Sequence, residues 1–274
     1  MKKEILLPAL AAAGGAAGFA LRRWELATAF EPDTGLPIAG MPATYALAAV
    51  SAGMILALAL LCRGEYAGLS GREDDSVFAA VGNSLYAMAA LMAAFLLIGG
   101  GALMAASFFT GRSAVFTRPI LAVLAAAAGV CLLPIVKSRF RGPARPRYDV
   151  LQLIPAYACC MWLVAAYQAR AGDPVQLDYI YELAAVIASL LGLYYAAGFS
   201  FGRGKPFQFC LFSLLGVYFS LTTLADGHDL PSTLLYGFAA IYLLCCAWAL
   251  LHNAAQPGGG ERNVQETEET PDEP

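Results

Sequence analysis

Charged side chains are scarce in this chain of 274 residues: Asp, Glu, Lys and Arg make up 14%, whereas hydrophobic residues make up 59%. A water-soluble domain carries roughly 25% charged residues, because its surface must be hydrated. The few charges are also grouped between long neutral runs, a pattern that is typical of multipass membrane proteins. The composition therefore argues against a soluble globule. The sequence has no broad basic segment that would bind nucleic acid.

Familiar catalytic and metal-binding motifs are also missing. Histidine occurs only at positions 228 and 252, and the seven cysteines form no CxxC pair. The sequence contains no GxxxxGK[ST] or HExxH, the motifs of P-loop NTPases and zinc proteases. We therefore expect a protein that is not an enzyme and needs no cofactor. A membrane-embedded enzyme acting on lipid is the least favoured alternative.

Eight neutral apolar runs are long enough to cross a bilayer, and in hydrocarbon only a helix satisfies its own backbone amides. The sequence predicts an all-α integral membrane bundle over residues 1–254. Residues 255–274 are polar and acidic, which predicts a disordered cytoplasmic tail. The predicted spans are 5–21, 44–62, 77–109, 118–136, 150–169, 179–201, 206–225 and 231–251.

The third run is longer than one span needs, because no charge occurs between residues 76 and 111. A straight helix of that length would measure about 54 Å, whereas the hydrocarbon core is about 30 Å thick. Two spans would place the basic segment 137–147 outside the cell. We therefore predict one span over 77–109, with a break or an extracellular helical extension near Gly99, Gly100 and Gly101.

The distribution of basic residues predicts the orientation. With eight spans, only five of the 17 Lys and Arg residues lie on the side away from the termini, namely Arg22, Arg23, Arg112, Arg118 and Arg170. Basic loops are retained in the cytoplasm. We therefore expect both termini inside the cell, and we expect the basic segment 137–147 to attract anionic membrane lipid.

The stretch "ALRRWELATAFEPDTGLPIAG", residues 20–40, then becomes the first extracellular loop. Arg22 and Arg23 lie against the positive-inside bias. One interpretation is a structured turn whose arginines bind lipid phosphate or pair with Glu25, Glu31 or Asp33. The other is a lid or an anion-binding entrance.

The longer stretch "RRWELATAFEPDTGLPIAGMPATYALAAVSAG", residues 22–53, resembles a segment of uncharacterised multipass membrane proteins of anaerobic Firmicutes. The similarity extends over most of the chain. The resemblance implies a bacterial plasma membrane and implies no particular chemistry.

Asp178 and Glu182 are the first candidate contacts for a cation or a substrate. They lie four residues apart, so both carboxylates share one helix face. An ionisable group within a span is a candidate functional residue by default. Alternatively, acidic residues in a first helical turn simply favour the helix dipole.

Further candidates lie elsewhere in the chain. Asp226 and His228 belong to the last outer loop, where Asp229 could equally cap the eighth helix. If Asp178, Glu182, Asp226 and His228 converge, a metal or an amine could bind there. Asn83 is a polar group of the third span that bridges helices or contacts substrate. We expect the hydroxyls of the seventh span to bond back to their own helix; they are Ser213, Ser220, Thr222 and Thr223.

Two functions from different classes stay open. The first is a permease, or a subunit of one, for a small molecule or an ion, with Asp178, Glu182 and Asp226 at its outer mouth. The second is a non-enzymatic sensor, accessory or scaffold protein that meets a protein partner through its cytoplasmic loops and tail. In both cases the surrounding partner is membrane lipid.

Overall fold

A computed structural model of the chain describes residues 3–31, 33–64, 74–110, 117–142, 149–172 and 175–255. Across these ranges it contains eight helices that are long and apolar enough to cross a membrane. They are α1 Lys3–Thr28, α2 Pro42–Gly64, α3 Ser84–Phe109, α4 Thr117–Arg141, α5 Asp149–Arg170, α6 Gln176–Ser200, α7 Pro206–Thr223 and α8 Leu230–Ala255. This confirms the predicted all-α bundle of eight transmembrane helices. The predicted tail beyond Ala255 and residues 143–148 of the basic loop lie outside the described residues.

Six of the helices form a closed ring. Helices α3 to α8 pack against one another in chain order, and α8 returns to pack against α3. Helix α1 packs outside the ring, chiefly on α7, and α2 packs on α1 and α7. The six helices are thus linked in a closed circuit of contacts, and α1 and α2 pack on one side of it.

The outer surface of the bundle is apolar. Leu56 of α2 is 61% exposed, and Leu85 and Phe95 of α3 are 79% and 62% exposed. Exposed side chains of this kind would be unfavourable in water, whereas in a bilayer they contact acyl chains. These faces therefore meet membrane lipid.

The third apolar run does not break at its glycines. Helix α3 continues through Gly99, Gly100 and Gly101 to Phe109, so of the two predicted alternatives the break is absent and the helix extends past the glycines. The excess length of the run is removed at its other end, where a 3₁₀ turn, Asp75–Phe78, precedes the helix. The glycines serve close packing instead: Gly100 faces Leu235 of α8, and Gly101 faces the backbone of α4.

Helices α3 and α4 touch almost backbone to backbone. A Cβ atom on Gly101 would lie 2.7 Å from both the Ala122 carbonyl oxygen and the Ala126 nitrogen, and one on Gly129 would lie 2.8 Å from the Ala94 carbonyl oxygen. Small residues on both helices permit this approach, which is how membrane helices gain packing energy without a hydrophobic driving force.

Gly101→Ala is expected to destabilise the bundle by about 1–3 kcal/mol, because the added methyl group meets fixed backbone atoms rather than a movable side chain. Gly53→Ala is the matched control: Gly53 lies within α2, and a Cβ atom added there would meet no neighbouring element within 4 Å. That change should be neutral or slightly stabilising. Thermal melting of both variants in detergent tests the difference, and equal melting temperatures would contradict the close approach.

Helix α1 is longer than its predicted span. It continues to Thr28, so Arg22 and Arg23 lie on a helix rather than in a loop. Arg22 and Glu25 are three residues apart on this helix, and both are buried. The turn that was predicted after them follows the helix end, where Gly35 has a φ of 66°. The placement of Arg22 inside the bundle is the main correction to the sequence prediction.

Candidate functional site

Arg22 is completely buried and makes four hydrogen bonds. Its Nε donates to Asp226 Oδ1 at 2.6 Å, and its Nη1 donates to Glu25 Oε2 at 2.7 Å. Backbone carbonyl oxygens of α6 accept from the same guanidinium: Leu177 at 3.1 Å from Nη1 and Asp178 at 2.7 Å from Nη2. One side chain therefore ties α1 to the start of α6 and to the turn that follows α7.

Arg170, the last residue of α5, makes a second pair of ionic contacts. Its Nη1 lies 3.1 Å from Asp178 Oδ2, and its Nε lies 3.2 Å from Glu182 Oε2. Asp178 and Glu182 thus share a helix face, as their spacing predicts, and one arginine bridges them. The side chain of Glu182 is 12% exposed and that of Asp178 is 35% exposed, so this pair lies nearer to the surface.

The end of α7, the residues that follow it and Tyr236 of α8 complete the cluster. Thr223 Oγ1 donates to Asp226 Oδ2 at 2.7 Å and lies 3.1 Å from His228 Nε2. The ring of Tyr236 lies 4.8 Å from that of Trp162 and 4.7 Å from that of His228, measured between centroids. The Tyr236 hydroxyl is buried near Glu182 but makes no hydrogen bond of acceptable geometry.

We call this cluster the Arg22 network; it consists of Arg22, Glu25, Arg170, Asp178, Glu182, Thr223, Asp226, His228 and Tyr236. Each of its two arginines bridges two carboxylates. The network thus pairs two positive charges with four negative ones, and it carries two surplus negative charges when His228 is neutral. It lies at the end of the bundle where α1, α5 and α7 finish and α6 and α8 begin, here called the Arg22 end.

Four of the sequence-predicted candidates therefore converge: Asp178, Glu182, Asp226 and His228. Two arginines occupy positions between them, and no three His, Cys, Asp or Glu side chains among the described residues are grouped as a metal site. Asp229 also has its expected role, because its Oδ1 accepts from Ser232 N at the start of α8.

Three other candidates do not lie where the sequence placed them. Arg22 is buried among carboxylates, so it does not contact lipid phosphate or admit an anion. Arg23 lies on α1 rather than in a loop, although it is exposed, as a lipid contact requires. Asn83 caps the start of α3, where its Oδ1 accepts from Tyr86 N at 3.0 Å, so it neither bridges spans nor joins the Arg22 network.

A second buried arginine, Arg139 of α4, organises the opposite end of the bundle. Its Nη2 lies 3.0 Å from Asp75 Oδ1, and its Nη1 donates to Tyr242 Oη at 3.3 Å. Its guanidinium carbon lies 4.5 Å above the centre of the Phe78 ring. Arg139 is completely buried, so the lipid contact predicted for the basic segment does not hold for this residue. We call this region the Arg139 end.

The turn Asp75–Phe78, here called the plug, closes the ring at the Arg139 end. Phe78 is completely buried, and its ring lies 5.1 Å from that of Phe199 and 5.0 Å from that of Phe209. Asn253 of α8 donates through Nδ2 to the carbonyl oxygens of Val77 at 2.7 Å and Ala79 at 2.8 Å. Helices α4, α6, α7 and α8 therefore all hold the plug.

The hydroxyls of α7 follow the prediction only in part. Thr222 bonds back to the Tyr218 carbonyl oxygen at 2.9 Å, whereas Thr223 bonds forward to Asp226. The hydroxyls of Ser213 and Ser220 are buried without a hydrogen-bond partner, and so is that of Ser189 on α6. Close packing explains part of this pattern, since Ser213 faces Gly192 and Ser189 faces Gly216 across the α6–α7 contact.

The comparisons with known proteins match no family model, no curated protein and no solved structure. The features of the molecule that bear on its function are therefore the two polar networks, the plug and the helices that join them.

Proposed function

We propose that this protein is a permease, or a subunit of one, for a small molecule or an ion, and that it resides in a bacterial plasma membrane. In the proposed orientation both termini are cytoplasmic, so the Arg22 end faces outward. One observation carries the proposal: each end of the bundle is held together by its own set of buried polar contacts, one around Arg22 and the other around Arg139.

The two closures approach each other inside the ring. Tyr236 belongs to the Arg22 network and Tyr242 contacts Arg139. The two residues are six positions apart on α8, which is about 9 Å of helix rise. Apolar side chains lie between the Arg22 network and the Arg139 contacts. They include Leu97, Trp162 and Phe238, which line a small pocket. A solute that passed one closure would therefore meet the other after a short apolar layer.

This arrangement suits alternating access, in which only one side of a membrane protein opens at a time. Polar groups without water are costly in a membrane, so buried ion pairs there are retained where they serve a function. Opening the Arg22 end requires α1 to part from α6 and from the turn after α7. Opening the Arg139 end requires the plug to leave Phe199 and Phe209. These two movements involve different contacts, so each can occur while the other end stays closed.

Removing the plug side chain is expected to raise permeability. Phe78→Ala should increase the flux of small cations through protein reconstituted in liposomes several-fold, because the aromatic contact that closes the Arg139 end is lost. The matched control is Phe95→Ala, which removes an equally large ring from the lipid-facing surface. Retention of a single monodisperse peak in size-exclusion chromatography identifies the variants that remain folded.

Equal flux through wild type, Phe78→Ala and Phe95→Ala would argue against transport. A non-enzymatic accessory, scaffold or sensor protein is then the favoured function. One observation supports this second candidate: all four carboxylates of the Arg22 network are already paired with arginine. A protein partner at the cytoplasmic face is part of this candidate, and deletion of residues 257–274 should then abolish its capture in a pull-down.

A further inference from the structure

We infer that the Arg22 network binds a small monovalent cation beside Glu182, Asp226 and Tyr236. The assignment of this cation as the transported or coupling ion rests on the proposed function. Its binding rests on two independent observations, the charge of the network and the position of the Tyr236 hydroxyl.

The charge of the network is the first observation. Glu25 and Asp226 share Arg22, and Asp178 and Glu182 share Arg170, so among the described residues each half of the network has one more negative than positive charge. The side chains of Glu25 and Asp226 are only 1% and 4% exposed. A buried carboxylate without a full countercharge is strongly unfavourable. A cation within the network removes this cost.

The Tyr236 hydroxyl is the second observation. Tyr236 is completely buried, and its hydroxyl has no hydrogen-bond partner although Glu182, Asp226 and Arg170 are close enough to act on it electrostatically. An unpaired buried hydroxyl costs free energy. Its oxygen can, however, ligate a cation, together with carboxylate lone pairs that the arginines leave available. The hydroxyl is thus a neutral ligand within electrostatic reach of two acidic side chains, Glu182 and Asp226.

The surroundings favour a monovalent ion over a divalent one. The described residues offer no group of three His, Cys, Asp or Glu side chains with metal-ligand geometry. Aromatic rings instead lie nearby, because those of His228 and Trp162 both pack against the ring of Tyr236. Aromatic faces stabilise alkali and ammonium cations. Sodium, potassium and methylammonium are the probes that represent this class.

Thermal melting of the full chain in detergent tests the inference. Each probe cation replaces N-methylglucamine at constant ionic strength. At least one probe is expected to raise the melting temperature of the wild type saturably, by about 2–4 °C, because a ligand stabilises the state that binds it. Glu182→Gln should abolish this shift. Tyr236→Phe keeps the aromatic ring and should weaken the apparent affinity for the cation about tenfold, the effect of losing one buried ligand.

Asp33→Asn is the matched control, because it removes one negative charge from an exposed position in the loop that follows α1. It should leave the shift unchanged. The inference is overturned if none of the three cations raises the melting temperature of the wild type. It is also overturned if the cations raise the melting temperatures of Glu182→Gln and Tyr236→Phe as much as that of Asp33→Asn. Binding is measured without flux, so a cation shift in a protein that transports nothing would retain the site and reject the permease. Flux without any cation-induced shift in melting temperature would support the permease and reject the cation site.

Discussion

Arg22→Met is expected to destabilise the bundle by about 3–5 kcal/mol, the usual effect of removing one partner from a buried ion pair. The substitution leaves Asp226 and Glu25 buried without their countercharge. It also leaves the carbonyl oxygens of Leu177 and Asp178 without their donor. Thermal melting in detergent measures the loss of stability. The reactivity of a cysteine introduced at the Arg22 end with a water-soluble thiol reagent reports whether α1 separates from α6.

Arg23→Met is the matched control, since Arg23 is the next residue of α1 and is exposed. It should change the free energy of unfolding by less than about 1 kcal/mol. The triple variant Arg22→Met, Glu25→Gln, Asp226→Asn should recover part of the lost stability, because the uncompensated charges are gone. If Arg22→Met and Arg23→Met have equal effects, Arg22 does not hold these elements together.

The helices could be predicted from the sequence because the bilayer imposes one strong constraint on every span. Long neutral runs must form helices in hydrocarbon, whatever they pack against. All eight runs are helical, and α7 and α8 differ from their predicted ends by only a few residues. The ring, in contrast, depends on which helix faces match, and an alanine-rich sequence offers many equivalent faces.

In the candidate site, only contacts between residues that are close in the sequence could be predicted. Asp178 and Glu182 share a face because they are four residues apart, and Glu25 is a predicted partner of Arg22 at a spacing of three. Arg22 also pairs with Asp226, which lies 204 positions away in the chain. The spacing of residues in the sequence cannot predict a contact over that separation. Because charged residues usually end an apolar run, the first span is predicted to end before Arg22, whereas α1 continues to Thr28.

The same limit explains Arg139 and the triple glycine. Arg139 belongs to a basic cluster, and nothing in that cluster distinguishes a buried arginine from one that faces lipid headgroups. Glycine weakens an isolated helix, so three in a row predict a break. In α3 the neighbouring helices compensate, because the glycines allow α4 and α8 to approach closely. Tertiary packing thus reverses the local preference.

The two arginines share one physical role at opposite ends of the ring. Each lies on one helix near its end and contacts a carboxylate in a short 3₁₀ turn, Leu224–Asp226 in one case and Asp75–Phe78 in the other. Each also lies against an aromatic face, Tyr181 for Arg22 and Phe78 for Arg139. Both turns connect helices of the bundle, so each arginine fixes a connection rather than only a helix pair.

Arg139→Met should therefore release the plug at the Arg139 end. The expected loss is about 2–4 kcal/mol, less than for Arg22, because the side chain of Asp75 is 30% exposed and water can partly solvate it. Arg141→Met, two residues further along α4 at an exposed position, is the matched control and should have little effect. Thermal melting in detergent measures both variants.

Arg139→Lys distinguishes the contribution of the positive charge from that of the planar guanidinium group. Lysine keeps the positive charge, but it cannot lie flat on Phe78 while its donors reach both Asp75 and Tyr242. If the planar guanidinium holds the plug, Arg139→Lys should expose a cysteine introduced at the buried position 77 to a water-soluble thiol reagent nearly as readily as Arg139→Met does. Protection equal to that of the arginine protein would mean that charge alone holds the turn, and Asp75→Asn would then expose the same position.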